Sequence, residues 1–487
     1  MANRGFCVHG HFYQPPREDP LTGIIPIESG ASPFRNWNER IHAECYRPNA
    51  ESGNFEHISF NVGPTLFNWM AQYDPLTTSR IISQDRVNYL EHNAGNAMAQ
   101  AYNHTILPLA SYEDKVTQVA WGIADFAARF GHKPAGLWLP ETAVDLETLE
   151  VMADHGIEFT ILAPWQADQK NLDTNQPYWV DLSKNRRMAV FFYNQDLSTR
   201  VSFDPASTIN ADSFVDLLLE PKFRPPQRKP GLPGAVVEDD QICIIASDGE
   251  LYGHHQKFRD KFLAYLLDGA VKGHTFELTY PARWLQQHPP TRTVKLHDKS
   301  SWSCHHGVVR WKGECGCTPG STWKAPLRRG LNRIAALVDS CYAAVIEPYG
   351  VSPWVLRNNY IHVRLGQVNM EHFLDRNFRR HLENDEVQRI TLLLAGQYER
   401  QRVFTSCGWF FDEFDRIEPR NNIAYAAQAV WLTAQATGQD LKTKAQAMLN
   451  AVKSTRTGLQ GSKVFAEKYA LAEANAASYL RSLRTKL

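Results

Sequence analysis

Leu137-Trp138-Leu139-Pro140-Glu141 reads as a short apolar strand that stops on a carboxylate, and Ile242-Cys243-Ile244-Ile245-Ala246-Ser247-Asp248 reads the same way. Five further runs in the first half of the chain follow this rule. Phe6-Cys7-Val8 leads into His9 and His11, and Ile58-Ser59-Phe60 leads into Asn61 and Gly63. Ile106-Leu107 stands just after Asn103 and His104; residues 159–162 form another run, and residues 188–192 end at Asn194 and Asp196. Segments with helical spacing lie between them, at 116–130, 146–155 and 258–271. Seven such units, with their polar residues at the strand ends, predict a closed parallel barrel. A doubly wound open sheet is the alternative; it would line the same polar ends along one edge.

Beyond about Leu327 the strand signals fade. Long helical patterns take over at 330–345, 385–401, 423–438 and 463–483, which predicts a helical domain. The expected division is a barrel over 1–290, a loop region rich in Trp, Cys and His over 291–326, and a helical domain over 327–487 that contributes to the substrate cleft. Pro and Gly punctuate 225–233, read as a surface loop ahead of the last barrel strand.

At 487 residues the chain is longer than one core usually serves. Its 52 basic and 52 acidic residues cancel, which removes the electrostatic case for nucleic acid or an anionic membrane as partner. The 13 Trp, 18 Tyr and 24 Phe offer flat faces of the kind sugars stack on, although many must simply fill the core. The N-terminus lacks the charged and apolar regions of a secretory signal, and the eight Cys have no disulfide-framework spacing. The expected location is cytoplasmic, and the sequence is silent on oligomeric state.

Glu141 and Asp248 are the candidate catalytic pair. Retaining hydrolysis of a glycoside needs two carboxyl groups roughly 5–5.5 Å apart, one to attack and one to protonate the leaving oxygen. Two barrel strands can bring such groups face to face across the mouth. Glu141 and Asp248 could instead cap the turns that follow them. His9 and His11, at alternate positions, share one face of their strand and suit either sugar hydroxyls or a metal. With Asp248 as a third ligand they give the rival reading, a metal-dependent hydrolase or deacetylase.

These residues carry a resemblance. The chain resembles glycoside hydrolase family 57, in which His-x-His-Gln-Pro is answered here by His9, His11 and Gln14-Pro15 with two extra residues between. Trp-x-x-Glu is answered by Trp138 to Glu141, and Asp-x-Glu-x-x-Gly by Asp248, Glu250 and Gly253. The Gly-x-x-Glu motif has no acid at the corresponding place near Asn61-Val62-Gly63. A Trp-bearing motif of the helical region is answered by Ser406-Cys407-Gly408-Trp409-Phe410. The resemblance implies an α/β fold, a (β/α)7 barrel with a C-terminal helical domain, and no obligatory cofactor. It implies a retaining enzyme of α-1,4-glucans, amylase-type, acting on an α-glucan polysaccharide or maltooligosaccharide through a covalent glycosyl-enzyme. A branching enzyme or 4-α-glucanotransferase would use the same residues. Glu141 would be the nucleophile and Asp248 the acid/base; His9, His11, Gln14, Trp138, Glu250, His254, Trp302, Trp311, Trp409 and Asp412 would contact substrate. Trp409 in particular is expected to reach the cleft from the helical domain as a sugar platform.

A second cluster, Cys304, His306, Cys315 and Cys317 with His305 between, has the composition of a tetrahedral zinc set. Reduced thiols in an aromatic-rich loop are the alternative.

Overall fold

The computed structural model describes residues 3–485 apart from 21, 226, 229–235 and 238, so the loop expected at 225–233 lies largely outside the described residues. The chain divides into two units. The first comprises Met1–Gln14, Ile27–Gln100 and Arg129–Trp302. The second comprises Pro15–Pro26, Ala101–Ala128 and Ser303–Leu487.

Seven strands of the first unit form its ring: β1 (Arg4–Phe12), β2 (Ser59–Val62), β3 (Ala99–Gln100), β4 (Leu137–Trp138), β5 (Phe159–Leu162), β6 (Arg187–Phe192) and β7 (Gln241–Asp248). Parallel ladders join β1 to β2, β3 to β4, β5 to β6, and β7 back to β1. Fewer bonds close the remaining seams. Phe60 bridges to Ala97, Gly136 bridges to Phe159, and Asn194 N–H donates to the Ile244 carbonyl at 2.7 Å. The ring is a closed (β/α)7 barrel.

Alternate residues of a strand face the same side. Cys7, Ile242, Ile244 and Ala246 pack with Trp138, Phe159, Ile161, Ala189 and Phe191 in one buried core. That face is therefore the barrel interior. His9 and His11 continue the Cys7 face of β1, and Asp248 continues the Ile242–Ala246 face of β7. The interior is apolar for most of its height and turns polar only at the C-terminal ends of the strands.

The third strand is Ala99–Gln100, not Ile106-Leu107. Leu107–Leu109 is a 3-10 turn that belongs to the second unit.

The second unit is helical: α1 (Tyr112–Phe130, through Ala128), α2 (Lys324–Ile346), α3 (Asn384–Arg402), α4 (Ile417–Thr437) and α5 (Gly461–Thr485). Helices α3 and α4 approach closely at Gly396, where an added Cβ would lie 3.3 Å from Thr433 Oγ1. The expected division at 290 and 327 is corrected: the first unit runs on to Trp302, and residues 15–26 and 101–128 join the helical unit. For 101–128 the reason is electrostatic. Asp114 of α1 is buried and pairs with Arg400 of α3 at 2.6 Å and with Arg357 at 3.2 Å. A buried charge stripped of its partners costs several kcal/mol, so this pairing fixes where α1 belongs. Asp114, Arg357 and Arg400 line a cavity of about 510 Å³ within this unit. Among the described residues no single helix is long and apolar enough to cross a membrane.

Candidate active site

Glu141 sits just past β4 in a turn with an unusual backbone. Its φ is 58° and that of Thr142 is 48°, both in the left-handed region that non-glycine residues seldom occupy. Such geometry costs on the order of 1–3 kcal/mol per residue and persists only where the surroundings over-determine it. Here they do. Thr142 N–H donates to the Leu139 carbonyl at 2.8 Å, and Trp302 N–H donates to the Glu141 carbonyl at 3.0 Å. Buried Gln166 grips Thr142 twice: it accepts from Oγ1 at 2.8 Å and donates to the Thr142 carbonyl at 2.8 Å. The turn aims the Glu141 side chain at Trp302, whose indole Nε1 donates to Glu141 Oε2 at 3.1 Å.

Asp248 ends β7, directly beside His11 of β1 in the register. The residue keeps accessible surface, yet its carboxyl is crowded by protein. Loss of hydration, then the negative charges of Glu250 and Glu141, push its pKa up to about 8. Water at the accessible surface softens the first effect, whereas the two neighbouring charges act regardless. The Glu141 charge is thus near enough to bear on the Asp248 proton.

Glu250 was expected among the substrate contacts. Instead the strand ends at Asp248, and residues Gly249–Leu251 form a 3-10 turn. Gly249 is required here: a Cβ would stand 2.4 Å from the Phe12 ring. The turn buries Glu250, which accepts hydrogen bonds from Tyr13 N–H at 3.1 Å, Gln14 Nε2 at 3.2 Å and the Tyr46 hydroxyl. It ties the end of β1 to β7 rather than facing open space. Burial pushes its pKa up to about 7, against the pull of these donors. Tyr46 has no neighbouring motif in the sequence that would have revealed it.

His9 and His11 are buried, and burial holds their pKa values down at about 3 and about 4, so both rings are neutral at physiological pH. His9 Nδ1 is 2.9 Å from Ser59 Oγ, and His11 Nδ1 is 3.1 Å from Asn61 Oδ1. Asn61 in turn donates to Gln100 Oε1 at 2.7 Å. A polar belt therefore runs from Asp248 through His11 and Asn61 to Gln100, one residue from each of four neighbouring strands.

Trp138 has no open face. It is fully enclosed, stacked on His9 at 4.6 Å and on His11 at 5.2 Å, with Trp302 edge-on at 5.1 Å. It supports the histidines instead of carrying a sugar. Trp302 is the one expected platform of the first unit with accessible surface, and Tyr193 stands beside it at 6.3 Å. Trp165, which the sequence reading did not single out, donates from Nε1 to the Ser301 carbonyl at 3.0 Å and so helps position the Trp302 segment. His254 pairs with Glu44 at 2.5 Å and packs edge-on to Trp37.

Trp311, Trp409 and Asp412 belong to the second unit. Trp311 and Trp409 are enclosed there, at 0% and 1% exposure, which corrects the expectation that they are sugar platforms. Trp409 lies on the short helix Cys407–Phe410. Its ring stacks near Phe404, lies 5.4 Å from the Arg328 guanidinium, and donates from Nε1 to the Lys324 carbonyl at 3.4 Å. Trp409→Ala should therefore cost about 3–5 kcal/mol in chemical denaturation and leave KM unchanged. Unchanged stability with a raised KM would restore the platform reading. Asp412 is exposed, and its carbonyl accepts from Trp323 Nε1 at 2.7 Å.

His9, His11 and Asp248 do not gather as metal ligands. Among the described residues the one His/Cys/Asp/Glu group whose ligand atoms converge is Cys304, His306, Cys315 and Cys317, in the second unit.

Residues 31–297, more than half of the chain, match the model of Glycosyl hydrolase family 57. The chain belongs to this family. Residues 321–477 match a domain of unknown function (DUF3536). An α-amylase of Pyrococcus abyssi is 18% identical over 281 residues, which cover 54% of this chain and 39% of that protein. The chain thus spans well under half the length of that curated relative. The crystal structure of a maltose-forming exo-type amylase from Pyrococcus sp. ST04 superposes with a TM-score of 0.68 at 16% identity, covering 96% of this chain and 88% of its own. That of a family 57 branching enzyme from Pyrococcus horikoshii gives 0.57 at 15% identity, covering 98% and 96%. At such identities the likeness establishes the fold, a (β/α)7 barrel with a helical C-terminal domain. In this chain Glu141 and Asp248 stand at the C-terminal ends of β4 and β7, the end where catalytic groups of parallel barrels collect.

Proposed function

We propose that this family 57 chain is a retaining enzyme of α-1,4-glucans, amylase-type, in which Glu141 is the nucleophile and Asp248 the general acid/base. One observation carries the reading. Glu141 and Asp248 stand at two strand ends of the barrel mouth, and loss of hydration, then the charges of Glu250 and Glu141, push the Asp248 pKa up to about 8. A carboxyl that keeps its proton beside a second carboxyl is what the acid of a double displacement needs.

Glu141 attacks the anomeric carbon as the bond to the leaving oxygen breaks, and the Asp248 proton passes to that oxygen. Asp248, now ionised, then takes a proton from water, whose oxygen attacks the same carbon and frees Glu141. Two inversions leave the configuration retained. If a sugar hydroxyl replaces water in the second step, the same residues perform transfer or branching, and the branching enzyme among the superposable structures supports keeping that reading.

Incubation with amylose separates these outcomes. New reducing ends mean hydrolysis; redistributed chain lengths without a gain in reducing ends mean transfer; new α-1,6 linkages mean branching. Amylose and maltooligosaccharides recovered unchanged would sink the α-glucan reading.

The acid role sets the pH profile. The protonated form of Asp248 is the active one in the first step, so kcat/KM should fall as pH rises through its raised pKa. Glu250→Gln removes one of the two like charges facing that proton. The basic limb of kcat/KM should then move to lower pH. A limb that stays in place or moves up would show that another group controls it.

A further inference from the structure

The family 57 match ends at residue 297 and the second domain match begins at 321, so the segment between them belongs to neither. It is poor in regular structure: within 303–323 the 3-10 turn Val309–Trp311 is the only helix or strand. A stretch of that length needs something to hold it.

Four side chains converge inside it. Cys304 Sγ lies 3.9 Å from Cys315 Sγ and 3.9 Å from Cys317 Sγ. His306 Nδ1 lies 3.9 Å from Cys304 Sγ and 3.5 Å from Cys317 Sγ, and all four ligand atoms fall within 4.8 Å of one another. A tetrahedral zinc with Zn–S bonds of about 2.3 Å and a Zn–N bond of about 2.0–2.1 Å sets its ligands about 3.8 Å apart for sulfur pairs and about 3.6 Å for nitrogen and sulfur. These four spacings lie within about 0.3 Å of those edges. They are too long for a disulfide, whose sulfurs bond at about 2.05 Å.

Backbone N–H groups of His306 and Arg310 donate to Cys304 Sγ, and those of Cys317 and Thr318 donate to Cys315 Sγ. Three thiolates, one neutral imidazole and a divalent ion leave one negative charge. Buried Lys324 stands close enough for its charge to be felt by Cys315 and Cys304, and donates to Thr318 Oγ1 at 3.0 Å. Gly316 completes the fit, because a Cβ there would crowd His306 Cε1 at 3.3 Å.

We infer that Cys304, His306, Cys315 and Cys317 hold one structural zinc ion, which pins residues 304–317 ahead of helix α2. All four positions are taken by protein atoms, the arrangement of a structural rather than a catalytic zinc. The site is independent of the glucan chemistry proposed above.

Metal analysis of the full-length protein, purified under reducing conditions without a polyhistidine tag, should find one zinc per chain. Cobalt supplied in its place should give the intense visible bands of tetrahedral thiolate-bound cobalt. His306→Ala and Cys317→Ser change the two more accessible ligands, so their packing cost is small. Both should fold, by circular dichroism, yet lose the stoichiometric zinc and the cobalt spectrum. Cys341→Ser, outside the cluster, should keep both. Wild-type protein that takes up no zinc or cobalt when either is supplied would overturn the inference. So would a disulfide within the cluster found by mass spectrometry of freshly reduced protein, or a His306→Ala variant with undiminished zinc.

Discussion

Glu141→Gln should lower kcat on the true glucan substrate by about 10⁴-fold or more while leaving the melting transition unchanged. The two halves of this expectation have separate causes. Gln is isosteric and keeps an oxygen to accept from Trp302 Nε1, so the contact that orients the side chain survives. The left-handed turn is set by backbone bonds and by Gln166, none of which involves the Glu141 carboxylate. What disappears is the nucleophile, and with it the covalent intermediate. Single-turnover kinetics and circular dichroism on the same preparation check both halves. A variant that folds and retains near-normal turnover would remove Glu141 from the chemistry.

Asp248→Asn should show a different signature, because a proton donor matters in proportion to how badly the leaving group needs one. On natural α-glucans, whose leaving oxygen is a poor one without a proton, kcat/KM should fall by about 10²–10⁴-fold. On a glycosyl fluoride or an activated aryl glycoside the first step should be nearly untouched. The second step, which needs Asp248 as base, should then become limiting, and the glycosyl-enzyme should accumulate. The basic limb assigned to the raised Asp248 pKa should vanish as well. Equal losses on activated and natural substrates would argue that Asp248 binds substrate and does not transfer a proton.

Most of the barrel was legible because its strands announce themselves twice, once as apolar runs and again through the polar residues that end them. The third strand escaped for a simple reason. Ala99–Gln100 is only two residues long and weakly apolar, whereas Ile106-Leu107 nearby has the stronger signal and belongs to a turn of the other unit. The placement of α1 was out of reach too, since it rests on Asp114 meeting an arginine 286 positions later. The two acids stood out by position alone, but the left-handed backbone at Glu141 did not, because no glycine marks it. Tryptophans defeated the reading most often. Trp302 keeps an accessible face while Trp138, Trp311 and Trp409 do not, and nothing local in the sequence separates a ring that meets solvent from one that meets other rings.

The central claim is that a sugar becomes bonded to Glu141 and leaves with the help of Asp248. Mixing Asp248→Asn with an α-maltooligosyl fluoride, quenching in acid and mapping peptides by mass spectrometry tests it directly. A glycosyl adduct should appear on the peptide that carries Glu141 and decay when azide, which needs no base, is supplied in place of water, releasing the α-glycosyl azide. Release of fluoride with no adduct at Glu141, or an adduct on a different carboxylate, would contradict it.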